Sequence, residues 1–269
     1  MPDTTPFLVP PYTRLAEVYD RAGYTDYALS MLPRCLNHLF TVANWAGRHV
    51  LDLGCGTGRT TLWLAEQNYR AVGVDANEAM IAQARANMVV PADSLSFAAP
   101  DLFHMDMRAL DLPMGHMDLV VALGSVINAL HSLRDVEATL SRVRGVLEPG
   151  KPFVFDLRTV EGLASLERTG QSDGFDNRAD LTINVHDRFS YETLSNVRSY
   201  TIWQRESGGW QRTDEIHAER GYPLAAIVAL LERAGFEDVN VLDLAFEPFN
   251  VQADPYGRAL FVALRGTDT

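Results

Sequence analysis

Two periods of hydrophobic and polar positions run along this chain, and the switch between them divides it. From residue 50 to residue 158, short apolar runs recur at 50–53, 70–74, 95–99, 117–123 and 153–157. They are too continuous for half-exposed strands and fit strands buried on both faces. Between them the apolar positions keep helical spacing. Met80, Ile81, Ala84 and Met88 follow Asn77-Glu78, a helix start. Val136, Leu140, Val143 and Leu147 run into the stop Pro149-Gly150. Ahead of the first run, residues 14–19 and 27–40 are helical in pattern, with Pro33 as a start or kink. Strand and helix alternating in this way predict a parallel, doubly wound sheet. Right-handed crossovers would bring Gly54, Asp75, Asp106, Gly124 and Asp156 to one edge.

After residue 159 the period changes to two. Residues 159–180 are polar and contain glycine, a loop or short helix. Residues 181–190 and 194–205 alternate, with Val197, Ser199, Thr201 and Trp203 on one face and Arg198, Tyr200, Ile202 and Gln204 on the other. Gly208-Gly209 makes a hairpin turn and residues 210–217 return, which predicts an antiparallel insertion capping the strand edge. Helical spacing resumes over 224–234, stopped by Gly235, and strands over 239–244 and 260–264 close the chain. The expected division is an N-terminal arm and helical lid (1–45), an α/β core (46–158), the β insertion (159–217), and the last helix and strands of the core (218–269).

Composition narrows the function. Of 269 residues, 47% are hydrophobic, enough for a large core. The formal charge of −12 disfavours phosphate backbones and anionic lipid, so neither nucleic acid nor membrane is an expected partner. Arg142 and Arg144 read as a solvated helix face. No run reaches the ~18 apolar residues of a membrane span, and the Pro- and Thr-rich start reads as a loose arm, not a signal peptide. Cys35 and Cys55 read as reduced thiols of a cytoplasmic protein. A homodimer is compatible with all of this. The histidines show no zinc-like grouping, so no metal is expected.

The chemistry centres on Val50 to Gly58, "VLDLGCGTG", where an apolar strand enters a turn with glycine at 54, 56 and 58. Glycine allows positive φ and close backbone approach, and such a turn is expected to aim free N–H groups at a ligand above the strand. A dinucleotide fingerprint needs its third glycine one position later, where Arg59 stands. With Asp52 in the strand end, placed to anchor the turn or meet a cation, the string resembles the first motif of the class I S-adenosylmethionine-dependent methyltransferases.

That resemblance implies a Rossmann-like, seven-stranded, mostly parallel sheet with the last strand antiparallel. It implies S-adenosylmethionine as cofactor and S-adenosylhomocysteine as product. Cofactor contacts would come from Asp52, Gly54, Cys55, Gly56 and Gly58. Asp75 would accept from the ribose hydroxyls, with Ala76 beside it; Asp106 and Met107 ("DMR") would flank the adenine, and Leu123 and Gly124 would lie against the cofactor. "AEVYD" (Ala16 to Asp20) followed by Asp26-Tyr27 resembles the lid of small-molecule, amino-sugar N-methyltransferases, which marks Tyr19 and Tyr27. "GSVINAL" resembles the family's "DSLNYL" and puts Asn128 near the acceptor, but Ser125 replaces the acid and Ala129 the tyrosine. The stretch with Glu215, His217 and Arg220 is similar to one in bacterial methyltransferases of unassigned substrate. His217, two residues from Glu215 at strand spacing, is the candidate base, and Tyr19 the second catalytic candidate. His217 and Arg220 could equally hold the insertion to the sheet.

The expected function is methyl transfer to a small-molecule nitrogen or oxygen acceptor by in-line displacement. The alternatives are a nicotinamide-dependent oxidoreductase, a protein-directed methylase, or a binder of the cofactor without activity.

Overall fold

The computed structural model describes residues 8–88, 97–114, 116–169, 176–252, 254 and 257–267. Its elements are β1 (Leu8–Val9), α1 (Leu15–Val18), α2 (Asp26–Ala43), β2 (His49–Leu53), α3 (Arg59–Glu66), β3 (Arg70–Asp75), α4 (Glu78–Asn87), β4 (Asp101–His104), β5 (Leu119–Ala122), α5 (Leu133–Val146), β6 (Pro152–Arg158), α6 (Val160–Thr169), β7 (Asp176–Asn177), β8 (Leu181–Ser190), β9 (Ser195–Glu206), β10 (Gly209–Arg220), α7 (Leu224–Arg233), β11 (Phe236–Leu242) and β12 (Arg258–Arg265).

Seven strands form the central sheet in the order β11-β12-β6-β5-β2-β3-β4. β4, β3, β2, β5 and β6 run parallel, and β12 pairs antiparallel with both β6 and β11. Strand alternation sends Leu51, Leu53, Val120, Phe153 and Phe155 to one face, against α5 (Val136, Leu140, Val143) and α7 (Ile227, Leu230, Leu231). Val50, Leu119, Val121 and Val154 go to the other, against Leu64 and Ala65 of α3 and Met31, Leu32, Leu36 and Leu39 of α2. Each such side chain, fully buried, contributes about 1.5–3 kcal/mol. α2 is therefore a layer of the core and not a lid; among the described residues of 1–45, the stretch ahead of it, residues 8–25, reaches the C-terminal rim at Thr57 and Asn77.

The insertion forms a second sheet in the order β1-β10-β9-β8-β7, with β1 of the arm parallel to β10. The hairpin register pairs Gly209 with Glu206, as the glycine pair predicts, and Arg198, Tyr200 and Ile202 are buried while Val197 is 40% exposed. β10 runs three residues past the expected end of the insertion, to Arg220.

One strand is misplaced by the sequence pattern. Residues 97–99 of the expected third strand are not extended in the sheet, and 95–96 lie outside the described residues; the strand is Asp101–His104. β4 is the sheet edge and buries only part of its side chains, so it lacks the apolar run of an inner strand.

Candidate functional site

The parallel strands bring β2, β3, β5 and β6 to one C-terminal rim. The glycine turn has φ of +73° at Gly54, +54° at Gly56 and +73° at Gly58. A Cβ on Gly54 would lie 2.5 Å from Val126 Cγ1, and one on Gly58 would lie 2.9 Å from Ala84 Cβ, so these two glycines serve packing. On Gly56 the nearest atom is Met80 Sδ at 3.9 Å, so its backbone faces open space. The expectation of free amides needs correction. Gly54 and Cys55 N–H both donate to the Val74 carbonyl (2.7 and 3.0 Å) and Gly58 to that of Cys55 (2.9 Å). Gly56 N–H donates to Asp75 Oδ2 at 2.9 Å.

Asp52 anchors the turn. It is 4% exposed, and its Oδ2 accepts from the hydroxyls of Thr60 and Thr61, both at 2.6 Å, tying the strand end to α3. Burial raises its pKa, and the two hydroxyls pull it back. A direct contact between Asp52 and a cationic ligand is not what this geometry provides. The Cys55 thiol packs 3.0 Å from a Cβ built on Gly73 of β3, so Cys55 can meet a ligand through backbone only. Burial, with Asp52 and Asp75 nearby, keeps that thiol well above its ordinary pKa.

Asp75 is the hub of the rim. Besides Gly56 N–H, its carboxylate accepts from Asn77 N–H at 2.8 Å, and its carbonyl accepts from Met105 N–H at 2.9 Å. Burial raises its pKa against those amide bonds. The Ala76 carbonyl meets His104 Nε2 at 3.0 Å. Asp106 follows β4 but is gripped by Arg108, with Nη2–Oδ2 at 2.6 Å, and Arg108 also reaches Asp135 at 3.3 Å. The Arg108 guanidinium holds the Asp106 carboxyl below its usual range, and an acceptor role toward a ligand would have to be shared with that cation. Met107 packs on the core below.

Leu123 is buried on the α2 side. Gly124, at φ +99°, has no atom within 4 Å of a Cβ position, an open cradle at the rim. Ser125 adopts φ +66°, a strained conformation for a residue with a side chain, and its buried Oγ has no hydrogen-bond partner. Asp156 fixes this turn: its carboxylate accepts from Gly124 N–H (2.6 Å) and Ser125 N–H (3.2 Å) and pairs with Arg258 of β12. The Arg258 guanidinium also sits 4.2 Å from the centroid of the Tyr27 ring. Tyr27 thus borders the β5–β6 rim from α2, beneath Arg258. Asn128 is committed elsewhere. Its amide donates to the carbonyls of Arg158 (3.0 Å) and Arg220 (2.8 Å) and accepts from Arg158 N–H (2.8 Å), a staple between sheet and insertion and not an acceptor contact. Arg220 points the same way, donating to the His131 carbonyl at 2.7 Å, which removes it too from the acceptor pocket.

The arm and the cap close over this rim. Asn77 Nδ2 donates to the Pro11 carbonyl at 3.0 Å. Asp20 accepts from the hydroxyls of Thr57 in the glycine turn and Thr25, both at 2.6 Å, and from Asn87 at 3.0 Å. Glu215, fully buried, accepts the backbone N–H of Tyr12 (2.7 Å), Arg14 (2.7 Å) and Leu15 (3.0 Å), so it is an arm anchor rather than an acceptor ligand. His217 Nε2 lies 2.8 Å from Glu215 Oε2. Tyr12, at φ +62°, packs its ring 4.2 Å from that of His217. Burial, then the Asp75 charge, raises the Tyr19 pKa well above the usual tyrosine value, so its hydroxyl keeps its proton at neutral pH. Asp20 and Tyr12 carry contacts the sequence did not single out, although Asp20 ends the "AEVYD" string.

Among the described residues no group of histidine, cysteine, aspartate and glutamate has the makings of a metal site, and no helix is long and apolar enough to cross a membrane. A depression of about 470 Å³ lined by Leu36, Phe40, Trp45 and Tyr69 lies at the opposite rim, near the N-terminal ends of β2 and β3.

Residues 50–150 match a methyltransferase domain family. Over 191 residues the chain is 29% identical to a putative methyltransferase, YqeM, of Bacillus subtilis, covering 70% of this chain and 73% of that one. Its fold superposes on an S-adenosylmethionine-dependent methyltransferase of Clostridium acetobutylicum with a TM-score of 0.73 at 20% identity, over 95% and 99% of the two chains. It also superposes on the sugar N-methyltransferase KedS8 of a Streptoalloteichus species with a TM-score of 0.69 at 18% identity, over 93% and 92%.

Residues 50–150 are thus the methyltransferase domain of an S-adenosylmethionine-dependent enzyme. Its cofactor is S-adenosylmethionine. In this methyltransferase the sequence-marked Gly56, Asp75, Ala76, Asp106, Met107 and Gly124 share one rim, and Tyr19 reaches it from the arm. Glu215 and His217 stand above it in the cap.

Proposed function

We propose that the methyltransferase acts on a nitrogen or oxygen of a small molecule held between the cap sheet and the C-terminal rim of the central sheet. The observation that carries this is the polarity of the cap. Its inward face buries Asp187, Arg198, Glu215 and His217, whereas Val197 and Ile216 on the outer face are 40% and 46% exposed. The same face buries Leu181, Ile183, Val185 and Ile202, so these charged groups are carried into an apolar surface, where they fit a ligand site better than a packing role.

The rim fits S-adenosylmethionine on its own observations: the open cradle at Gly124, the unobstructed backbone of Gly56 and the unpartnered Ser125 Oγ. We assign Asp75 and Ala76 to the ribose, Asp106 and Met107 to the adenine, and Gly56, Leu123 and Gly124 to the methionine part. Asp52, Gly54, Cys55 and Gly58 shape the turn that holds it. The cofactor supplies a methyl group already electrophilic on its sulfonium, taken by in-line displacement. What remains for the chain is to align the acceptor and exclude water, which the arm and cap do from above.

His217 is the assigned base. A carboxylate can only accept, so the bond to Glu215 places a proton on Nε2 and leaves the Nδ1 lone pair to take one from the acceptor. Tyr19 keeps its proton and serves as a donor that positions the acceptor. Support for a small acceptor also comes from the net charge of −12, unsuited to nucleic acid. The test is methyl transfer from labelled S-adenosylmethionine to a panel of small amines and alcohols, read as S-adenosylhomocysteine release. Label appearing only in added protein or RNA would overturn the reading.

A further inference from the structure

Five rings close a circuit between the arm and the cap. Centroid distances run Tyr12–Tyr19 6.4 Å, Tyr19–Tyr24 5.2 Å, Tyr24–Tyr200 6.1 Å, Tyr200–His217 4.6 Å and His217–Tyr12 4.2 Å. Three rings come from the arm and two from the cap, so the circuit exists only with the arm docked. Tyr12, Tyr19 and Tyr24 are half-buried.

β10 puts Glu215, His217 and Glu219 on one face by its alternation, and the register sets them opposite Tyr200, Arg198 and Asn196 of β9. The charges on this face are matched except one. Arg198 is bound by Asp187 through Nε (2.9 Å) and Nη2 (3.0 Å). Glu215 is taken up by three arm amides and His217. Glu219 Oε2 is buried with no hydrogen-bond partner, and so is Oδ1 of Asn196, its cross-strand neighbour. The Asn196 amide nitrogen donates to Asp187 at 2.5 Å, which fixes the amide orientation and leaves its oxygen turned the other way.

Two neighbouring buried acceptors without a donor are costly unless a ligand supplies one. Glu219 lies two residues beyond His217 on the same face of β10, and Tyr200 sits on the matching face of the paired strand, so the carboxylate flanks the part of the circuit that the cap supplies. A ring of aromatic faces with a carboxylate in its wall attracts a cation and satisfies it.

Resting on the methyl-transfer reading above, we infer that this aromatic circuit with Glu219 and Asn196 is a cage for a protonated amine carried by the acceptor, and that Glu219 is the residue that selects it. A neutral alcohol would leave the Glu219 charge unmatched, and an anion would be repelled.

The experiment uses the full chain and two probes of one shape, cyclohexylammonium and cyclohexanol. Their binding is followed by calorimetry or ligand-observed NMR with and without saturating S-adenosylhomocysteine. The amine is expected to bind at least about tenfold more tightly than the alcohol. Glu219→Gln should remove that preference, and Tyr19→Leu should weaken the amine about threefold or more. In Glu219→Gln the S-adenosylhomocysteine affinity should hold steady and the melting temperature should not fall. Equal binding of the two probes, or a preference that survives Glu219→Gln, overturns the cage. Failure of S-adenosylhomocysteine to bind the parent chain would instead strike at the methyl-transfer reading, because the amine preference is read separately.

Discussion

Replacing Glu215 by alanine should release the N-terminal arm while leaving both sheets folded. The carboxylate is fully buried and holds three arm amides at 2.7, 2.7 and 3.0 Å, plus His217 at 2.8 Å. Hydrogen bonds to a charged group are worth about 1.5–3 kcal/mol each, and they are not additive here because one short segment carries all three. Removing one member of a buried charged network costs about 3–5 kcal/mol. At about 1.4 kcal/mol per tenfold, exchange of the Tyr12, Arg14 and Leu15 amides should accelerate by roughly two to three and a half orders of magnitude. Leu15 and Val18 remain apolar anchors, so the arm opens locally and the global melt shifts less. Hydrogen exchange followed by mass spectrometry reads this directly. The pH dependence follows from the same bonds. Burial alone would raise the Glu215 pKa, but His217 and the amides of Leu15 and Arg14 outweigh it and hold it below the ordinary value. A depressed native pKa stabilises the docked arm above the unfolded value and loses that contribution as pH falls through the native one. Arm protection in the parent should therefore persist from neutrality to about pH 4 and then fall, with no such step in Glu215→Ala. Unchanged exchange at residues 12–15 in the variant would refute the anchoring argument.

Three further outcomes follow from the rim. Asp156→Asn leaves the Arg258 guanidinium, 8% exposed, without its counter-charge, and should cost about 3–5 kcal/mol, seen as a melting-point drop of roughly 10 °C by calorimetry. His217→Ala should lower turnover at least about tenfold with S-adenosylhomocysteine affinity unchanged in an equilibrium titration; an unchanged rate removes it from the chemistry. Gly124→Ala meets no atom but sits at φ +99°, so it should destabilise by only about 1–2 kcal/mol while S-adenosylhomocysteine affinity falls about tenfold, because the added methyl enters the cradle.

Period was enough to read most of the architecture. The inner strands β2, β3, β5 and β6 are apolar on both faces and announce themselves; β8 to β10 do so by alternation, down to the buried face of Arg198, Tyr200 and Ile202. β4 was displaced because an edge strand carries no such run, and its Asp101 and His104 look like loop. α2 was mistaken for lid because helical spacing tells which face is apolar but not what that face meets. Single residues of the site fared by type of contact. Gly56, Asp75 and Gly124 lie on the sheet edge that the strand pattern predicts, since local turn chemistry demands them. Asp20, Tyr12 and Arg258 were not singled out, because their partners Thr57, His217 and Asp156 lie tens to hundreds of residues away, and Glu219 was not because only the pairing of β9 and β10 sets it opposite Asn196. Asn128, Arg220 and Glu215 were marked by resemblance to short family stretches, and the fold uses them to hold its own backbone.

The shared rim is tested most directly by mapping S-adenosylhomocysteine onto the chain with amide NMR or hydrogen exchange. The perturbed amides should cluster at Gly56, Asp75, Asp106, Met107 and Gly124, with Tyr19 of the arm joining them, and NADH should perturb none. Perturbation centred on Trp45 and Tyr69 at the opposite rim, or scattered so that Gly56, Asp75 and Gly124 do not respond together, would contradict the account.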